Sequence, residues 1–239
     1  MIKYNHNRKL HLIHCLYERE FYMSTYAVVD LEMCSVPKQI KKSTCPYRNE
    51  LIQIGAVLLD ESYRIIDTFV TFVAPRFGVI DKFIHNLTGI SQEDLVGAPD
   101  IQDALELFLV WLPEDATIVS WSRSDENQIR KETEHKGIEI PELQKYLDSW
   151  TDCQDTFSRL MDAPKVYRLS EALIIADIDL QDGAHDALVD ARNTALLFAK
   201  MEREGENLQL SPYYVSSDSD TTTTMCTPFA QLLKNFYCA

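Results

Sequence analysis

The chain has 239 residues, enough for one large domain or two small ones, and a formal net charge of −14 at pH 7. This charge argues against a passive nucleic-acid coat, which needs a broad positive surface, but it is compatible with an enzyme that meets nucleic acid in a metal-loaded pocket. No stretch is apolar over the length of a membrane span, so we expect no membrane partner. The six cysteines form no C-x-x-C pair, which predicts free thiols in a reducing, cytoplasmic compartment.

The first strong structural pattern begins just after Met23. We expect residues 1–24 to be an N-terminal extension and hypothesise that Met23 is the functional start. Residues 26–31 form a β-rich apolar run, which predicts a buried central strand that ends at Asp30-Leu31-Glu32. Because residues i and i+2 of a strand share a face, the two carboxylates should project side by side, where a cation or a proton would relieve their repulsion. The D-x-E pattern alone is common, and an ordinary exposed strand end is the alternative interpretation.

A basic, proline-broken loop follows this strand in the otherwise acidic chain. We predict that the loop, residues 35–49, hangs beside the acidic pair and could steer phosphates, although most charge clusters are merely solvated. Its prolines and basic residues are Pro37, Lys38, Lys41, Lys42, Pro46 and Arg48.

Turn and periodicity patterns next predict a β-hairpin and several helices. Two strands joined by D-E-S-Y are expected over residues 51–59 and 64–73. Helices are then expected over 81–87, after a capping motif at Ser91, and over 101–112. A strand should follow over 116–121, and then a helix over 125–136 with Asp125 near its start.

The last part of the predicted domain should end in an amphipathic helix. We predict a short strand over 146–151 and helices over 155–160, 169–176 and 185–201. In the last helix, His185 falls at or near the first turn and Asp190 about one and a half turns on, and the apolar residues at helical spacing are Ala187, Leu188, Ala191, Ala195, Leu196 and Phe198. Past residue 203 the pattern fails, so we expect a domain over 25–203 and a partly disordered tail over 204–239.

This order of elements predicts an α/β fold with a mixed five-stranded sheet flanked by helices. In such a sheet, ligands gather beyond the carboxyl ends of the parallel strands. Three separate segments therefore bring acids and one histidine to one crevice: Asp30, Glu32, Asp125, His185 and Asp190. A histidine that can titrate and carboxylates that can bind cations are suited to metal-assisted hydrolysis.

The order D-x-E, then an aspartate after S-W-x-x-x, then H-x-x-x-x-D resembles the DEDDh 3′–5′ exonucleases of the ribonuclease H-like fold, and is most similar to their KapD and Eri-like branch. The resemblance runs from about Thr25 to Arg203 and rests on the pieces V-V-D-L-E-M, N-E-L-I-Q-I-G-A-V-L-L, F-I-H-N-L-T-G-I, S-W-S-R-S-D and H-D-A-L-V-D-A-R-N-T-A-L-L-F. One departure is Ser122, because relatives often have glycine after the tryptophan.

The resemblance implies a mechanism with two divalent ions, Mg²⁺ or Mn²⁺. Asp30, Glu32 and Asp190 would hold the ion that activates water. Asp30 would bridge to the second ion with support from Asp125, and His185 would take the proton from the water. The product would be a nucleoside 5′-monophosphate released from the 3′ end of single-stranded RNA or short DNA, with RNA favoured by analogy.

The resemblance also suggests which residues contact the terminal nucleotide. Met33 and Cys34 would form the floor of its pocket, and Leu87 and Ile90 would form an apolar wall against the base. Trp121 could stack on a base. Core packing is the alternative for each of these residues, and His85 is expected to be a surface helix residue.

Other interpretations remain open at this point. The dipeptide His185-Asp186 allows a phosphohydrolase of the HD type, although that site needs further histidines from other helices. The fold could also serve as a non-catalytic scaffold, although such a protein would usually have lost one of the five groups. Within the enzyme interpretation, a proofreading subunit of a DNA polymerase is the nearest alternative. A homodimer is one option for the oligomeric state, and the acidic charge predicts short substrates.

Overall fold

The computed structural model describes residues 25–214, except residues 41, 43, 163, 164, 182 and 184. The predictions about residues 1–24, the start at Met23 and the polar tail beyond residue 214 therefore lie outside the described residues. None of the helices within the described part of the chain is long and apolar enough to cross a membrane. The described cysteines, Cys34, Cys45 and Cys153, are buried free thiols.

The centre of the molecule is a mixed five-stranded sheet with the strand order β3-β2-β1-β4-β5. The central strand β1 pairs antiparallel with β2 on one side and parallel with β4 on the other, and β3 and β5 form the edges. The predicted α/β architecture is confirmed, including the β2–β3 hairpin. The strands are β1 (Tyr26–Ser35), β2 (Asn49–Leu59), β3 (Ile65–Phe72), β4 (Thr117–Ser120) and β5 (Thr151–Asp152).

Helices cover both faces of this sheet. On one face, Ala27 and Val29 of β1 pack against α2, α3 and α4, whereas on the other face Val28 packs against α5, α6 and α7. A strand that is buried on both faces has no polar alternation, which explains the continuous apolar run at the start of β1. The helices are α1 (Lys82–Thr88), α2 (Ile101–Trp111), α3 (Ser124–Lys136), α4 (Pro141–Asp148), α5 (Cys153–Leu160), α6 (Leu169–Ile175) and α7 (Ala187–Glu204), followed by a 3₁₀ turn at Gly205–Asn207.

Two of the predicted elements are wrong. The strand predicted over 146–151 is extended only from Thr151, because α4 begins at Pro141 and occupies the first part of the segment. Its buried residues recur at helical spacing, and Pro141 sits in the first turn, where proline suits a helix. The segment after Ser91 forms turns rather than a helix, and the Ser91 amide and hydroxyl both donate to the Asp94 carboxylate.

The boundaries of the last helix also differ from the prediction. Helix α7 begins at Ala187 rather than at His185, and the buried residue in its middle is Leu197 rather than Leu196. Beyond its end the chain continues to pack on the domain, because Leu208 and Leu210 contact the α5–α7 side of the core. The Ser211 amide donates to the carbonyl of Ile175 at 2.7 Å, so the packed region extends past residue 203.

Candidate active site

The second half of β1 carries the first two acids of the site. The predicted end of this strand at Glu32 is wrong, because its pairing with β2 continues to Ser35. Asp30 pairs across the sheet with Gly55, and Glu32 pairs with Gln53, so both acids project from the same strand next to β2. Glu32 is only 8% exposed. The pairing shifts register between Glu32 and Met33, and such a bulge bends a strand and redirects the side chains that follow it.

Asp125 joins these acids from the neighbouring strand. It lies in the first turn of α3, directly after β4, which runs parallel to β1. Its carboxylate accepts a hydrogen bond from the Ser124 hydroxyl at 3.3 Å. β4 pairs with the first residues of β1 and ends at Ser120, so the turn that follows it brings Asp125 close to Asp30 and Glu32.

Ser122, the departure from the family pattern, leaves the turn before Asp125 intact. Its φ is not positive, so glycine is not required at this position. Its carbonyl accepts a hydrogen bond from Ser120, and its hydroxyl is 2.8 Å from that of Ser124. The serines therefore form a short hydrogen-bonded ladder beside Asp125.

The start of α7 contributes the histidine and the last aspartate. Asp186 caps the helix by accepting hydrogen bonds from the amides of Leu188 and Val189 at 2.9 and 3.1 Å. His185 precedes the cap, is exposed, and adopts a left-handed conformation with φ of 68°. Its amide donates to the Asp190 carboxylate at 2.9 Å, which ties the histidine to the first turn of the helix.

Two residues of β2 that sequence reasoning did not select hold α7 in this position. Gly55 lets the helix backbone lie directly on the sheet, because a Cβ at this residue would be 2.5 Å from the Ala187 carbonyl oxygen and closer still to other backbone atoms. Gln53 accepts a hydrogen bond from the Ala187 amide at 3.1 Å. The available signal was a glycine inside an apolar strand, which often marks a close backbone approach.

These contacts bring together groups that could bind a metal. Among the described residues, one ligand atom from each of Glu32, His185 and Asp190 lies within 4.8 Å of the other two. Burial raises the pKa of Asp30 well above its usual range, and the nearby Asp125 and Asp190 raise it further. The sequence-predicted group therefore forms one crowded anionic cluster.

The pKa values of the other acids of the cluster are also raised. Burial, with the charges of Asp190 and Asp125, raises the pKa of Glu32 to about 8. Burial raises the pKa of Asp125 to about 7 although several hydrogen bonds act in the opposite direction. Burial also raises the pKa of Asp190. Acids that resist ionisation when close together become stable as carboxylates once cations lie among them.

The five residues proposed to contact a nucleotide fall into two groups. Leu87 is 36% exposed on α1, and Met33 is half-buried, so both have surface available to a ligand. Cys34, Ile90 and Trp121 are buried and pack in the core, in line with the alternative interpretation. His85 is exposed on α1, as expected, and its Nδ1 lies 3.0 Å from the carbonyl of Ile90.

A buried ionic cluster behind the site was missed by sequence reasoning. Lys136 of α3 lies 2.8 Å from both Glu50 and Glu132, and all three side chains are buried. Glu50 also accepts hydrogen bonds from the amides of Phe77 and Gly78, at 2.6 and 2.5 Å. Burial alone would raise the pKa of Glu50, but Lys136 and the two amides lower it below the usual range. These hydrogen bonds and ion pairs hold the segment before α1 against β2 and α3.

The basic loop is only partly exposed. Lys38 and Lys42 face solvent, whereas Arg48 is half-buried and donates to the carbonyl of Ile40 at 3.4 Å. The loop returns to β1 through a hydrogen bond from the Val36 amide to the Arg48 carbonyl at 2.7 Å. Lys41 lies outside the described residues.

Residues 27–198 match the RNase_T family, which is described as exonuclease. The chain belongs to this exonuclease family. The family match favours the exonuclease interpretation over the HD-type alternative, and the sheet has the architecture of the ribonuclease H-like DEDDh domains.

Individual relatives agree with this assignment. The chain is 29% identical over 186 residues to ERI1 exoribonuclease 2 of Danio rerio, a match covering 68% of this chain and 33% of the relative. It is 29% identical over 185 residues to DNA polymerase III subunit epsilon of Aquifex aeolicus, covering 75% of this chain and 81% of that protein. The match to the first of these proteins thus spans only about a third of that relative's length.

A solved structure shows the same fold. The nuclease domain of 3′hExo, a DEDDh family member bound to rAMP, superposes with a TM-score of 0.65 at 19% sequence identity. The superposition covers 80% of this chain and 97% of that domain.

Proposed function

We propose that this protein is a 3′–5′ exonuclease that hydrolyses single-stranded nucleic acid, preferably RNA, to nucleoside 5′-monophosphates. The observation that carries the proposal is the convergence of Glu32, His185 and Asp190 within 4.8 Å, beside the half-buried Asp30 and the buried Asp125. The family membership and the exoribonuclease named among the relatives support it.

The donor set fits divalent cations of the oxygen-binding kind. Four carboxylates suit Mg²⁺ or Mn²⁺, whereas zinc would favour histidine and cysteine ligands. We infer that Asp30, Glu32, Asp125 and Asp190 hold two such ions. When bound, the ions would neutralise charge on the attacking and leaving oxygens of the phosphodiester. The raised pKa values of Glu32 and Asp125 support this inference, because carboxylates this close together ionise more readily when cations lie among them.

His185 is the group suited to accept the proton of the attacking water. Histidine can exchange a proton near neutral pH, which is the requirement for a general base in this reaction. Its side chain is exposed, so water reaches it, and its amide is fixed by Asp190. Asp190 would thus both bind a cation and orient the base.

The terminal nucleotide would lie between β1 and α1. The exposed Leu87 would contact its base, Met33 would lie beneath it, and the buried Ile90 would support Leu87 from behind. Exposed cations of the basic loop, Lys38 and Lys42, would attract the phosphates of the incoming strand. The buried Cys34 would contribute to the floor of the pocket through packing rather than through direct contact.

A proofreading role is the second candidate. It is favoured by the match to DNA polymerase III subunit epsilon, of which the chain covers 81%. Such a protein would degrade DNA and RNA without a preference for RNA and would bind a polymerase. A non-catalytic scaffold is disfavoured because all five groups are present and clustered.

Two further expectations complete the proposal. The buried free thiols Cys34, Cys45 and Cys153 suit a reducing compartment, so we place the protein in the cytoplasm. We also expect that any homodimer would be visible by light scattering of the purified chain.

Product analysis tests the proposal directly. Matched single-stranded RNA and DNA oligonucleotides with a 5′ label are incubated with and without Mn²⁺. We expect a ladder shortened from the 3′ end, release of nucleoside 5′-monophosphates and faster degradation of RNA. Asp30→Ala should abolish the activity without unfolding the protein, whereas Asp103→Ala, at an exposed position on α2, should leave it unchanged. Equal degradation by the Asp30→Ala variant would refute the site assignment, and degradation of DNA at least as fast as that of RNA would favour the proofreading role.

A further inference from the structure

The loop between α6 and α7 carries His185 and is held against α7 by two side chains of that helix. Asp190 accepts a hydrogen bond from the His185 amide at 2.9 Å. Asn193 accepts one through its Oδ1 from the Gln181 amide at 3.2 Å. Residues three apart on a helix are neighbours on its surface, so the two side chains lie on the same side of α7. Asn193 belongs neither to the proposed cation ligands nor to the proposed substrate contacts.

One end of the Asn193 side chain has no hydrogen bond. The residue is fully buried, although asparagine is usually exposed at protein surfaces. Its Oδ1 accepts from the loop, whereas its Nδ2 has no hydrogen-bond partner among the described residues. A buried donor without a partner destabilises a protein, so such groups are rare and need an explanation. The bond to Gln181 explains the acceptor end of the side chain and leaves the donor end unexplained.

The Asp190 carboxylate is the acceptor beside this donor. Burial raises the pKa of Asp190, whereas the His185 amide, the nearby His185 charge and the Asn193 side chain lower it. In an asparagine side chain only the Nδ2 can donate to a carboxylate, so this end of Asn193 faces Asp190. The Nδ2 therefore lies beside the carboxylate but beyond hydrogen-bond distance, and a small movement of either side chain would complete the bond.

The orientation of the Asp190 carboxylate matters because this group has two tasks in the proposed site. Its Oδ2 holds the His185 amide, and one of its oxygens lies within 4.8 Å of ligand atoms of Glu32 and His185. A single hydrogen bond leaves the carboxylate free to rotate, whereas a second donor fixes its plane. Side chains that donate to metal ligands orient them in this way, and their replacement typically lowers metal affinity or activity by about 10–100-fold.

We propose that Asn193 is a positioning residue of the active site, which holds the loop of His185 through its Oδ1 and orients the Asp190 carboxylate through its Nδ2. One buried side chain thereby fixes the general base and a cation ligand relative to each other. The expected effect on hydrolysis rests on the proposed nuclease function, whereas the expected effect on cation binding does not. Asn193 is buried and contacts no substrate, so the affinity for RNA should depend on it little.

Mn²⁺ binding and steady-state kinetics of Asn193→Leu test the proposal. Leucine has a similar size and neither a donor nor an acceptor. Isothermal titration calorimetry without RNA should show that Mn²⁺ binds about tenfold more weakly to the folded variant than to the wild type. The kcat for mononucleotide release should fall by about 10–100-fold, and KM for RNA should stay within about twofold of the wild-type value.

Thr194→Val is the matched control. Thr194 is the next residue on α7, is also fully buried, and has a hydroxyl without a hydrogen-bond partner among the described residues. Valine keeps the shape of the side chain, so Mn²⁺ binding and kcat should equal those of the wild type. Thermal melting monitors the folding of each variant. If Asn193→Leu only lowers the melting temperature, and the folded variant keeps wild-type Mn²⁺ affinity and kcat, Asn193 is merely structural and the proposal is overturned.

Asn193→Asp provides a second measurement, which decides if the leucine variant does not fold. Aspartate keeps an oxygen that can accept from the Gln181 amide and loses only the donor beside Asp190. Its kcat should therefore fall about tenfold with an unchanged KM for RNA. A wild-type kcat in this variant would overturn the proposed orientation of Asp190.

The outcomes separate this inference from the proposed function. If the wild-type protein releases mononucleotides and the Asn193 variants do so equally well, the positioning role is wrong and the nuclease function stands. An equal loss of activity in Thr194→Val would also overturn the positioning role. If the wild-type protein hydrolyses no oligonucleotide, the nuclease proposal fails, and the Mn²⁺ affinity of Asn193→Leu decides whether Asn193 positions Asp190.

Discussion

Gly55 provides the sharpest test of how the site is assembled, because it contacts no proposed substrate and carries no charge. In Gly55→Ala, the new Cβ would lie 2.5 Å from the Ala187 carbonyl oxygen and nearer still to the carbonyl carbon of Ala187 and the amide nitrogen of Leu188. Ordinary contacts between such atoms begin near 3.4 Å. All the atoms involved belong to the backbone, so no side chain can rotate away. The start of α7 must therefore move away from β2 by about 1 Å.

This displacement should reduce activity far more than it reduces stability. Overpacking of this kind costs about 1–3 kcal/mol of unfolding free energy. A misplacement of about 1 Å in a catalytic group can lower the rate by about 10²-fold, and α7 carries Asp190 and is tied to His185. We therefore expect kcat/KM of Gly55→Ala to fall by about 10²-fold at a temperature where the variant is folded.

The assay is mononucleotide release in Mn²⁺, with circular dichroism to measure unfolding in denaturant. Ile101→Val is the control, because this buried residue of α2 lies on the opposite face of the sheet, and the change should cost about 0.5–1.5 kcal/mol without moving α7. The reasoning would be refuted if Gly55→Ala retained wild-type activity, or if Ile101→Val lost as much activity as Gly55→Ala.

Three further predictions follow from the crowded carboxylates and the histidine. Asp30→Asn should raise the melting temperature of the metal-free protein, since it removes a half-buried charge among like charges, and should remove the stabilisation by Mn²⁺; a melting temperature below that of the wild type in both conditions would contradict this. The pKa of Glu32 is raised in the folded state from 4.5 to about 8, so the folded protein binds this proton more tightly than the unfolded chain, and the resulting stability is present below the ordinary value and lost as the pH rises through about 8. Mg²⁺ should therefore raise the melting temperature more at about pH 8 than at about pH 5.5, and an equal shift at both pH values would show that the cation does not bind this cluster. His185→Ala should lower kcat by about 10²–10⁴-fold with little change in the affinity for RNA in Ca²⁺, whereas an equal loss of affinity would indicate that the histidine binds the substrate instead.

Local patterns in the sequence predict most of the fold and the charged residues of the candidate site. The apolar run before Asp30 and the helical spacing of apolar residues after His185 both arise because these segments are buried. The pattern of apolar residues in the sequence therefore predicts them. The predicted strand around Tyr146 is wrong because the apolar residues of this segment are few and lie next to Trp150, and a short buried helix and a short buried strand have similar compositions. Periodicity could not distinguish them, and the proline at the start of α4 was the better signal.

What the sequence could not predict depends on contacts between distant segments. Gly55 and Gln53 position the site only because α7 packs on β2 at that point, and neither residue type indicates which helix will pack there. The buried pairing of Glu50 with Lys136 likewise joins two elements that are far apart in the chain. Trp121 illustrates the same limit, because its burial and its position beside a cavity depend on α5 and α6 together.

The order in which the acids occur along the polypeptide has a consequence for its biosynthesis. Asp30 and Glu32 emerge from the ribosome early, whereas Asp190 emerges only with α7, near the end of the folded region. A nascent chain that lacks α7 has no Asp190, and the face of β2 around Gly55 is uncovered. Such an intermediate cannot bring the five groups together, so we expect it to have no nuclease activity. Because the first and last acids are about 160 residues apart in sequence, the candidate site can form only after the last helix of the domain has been synthesised.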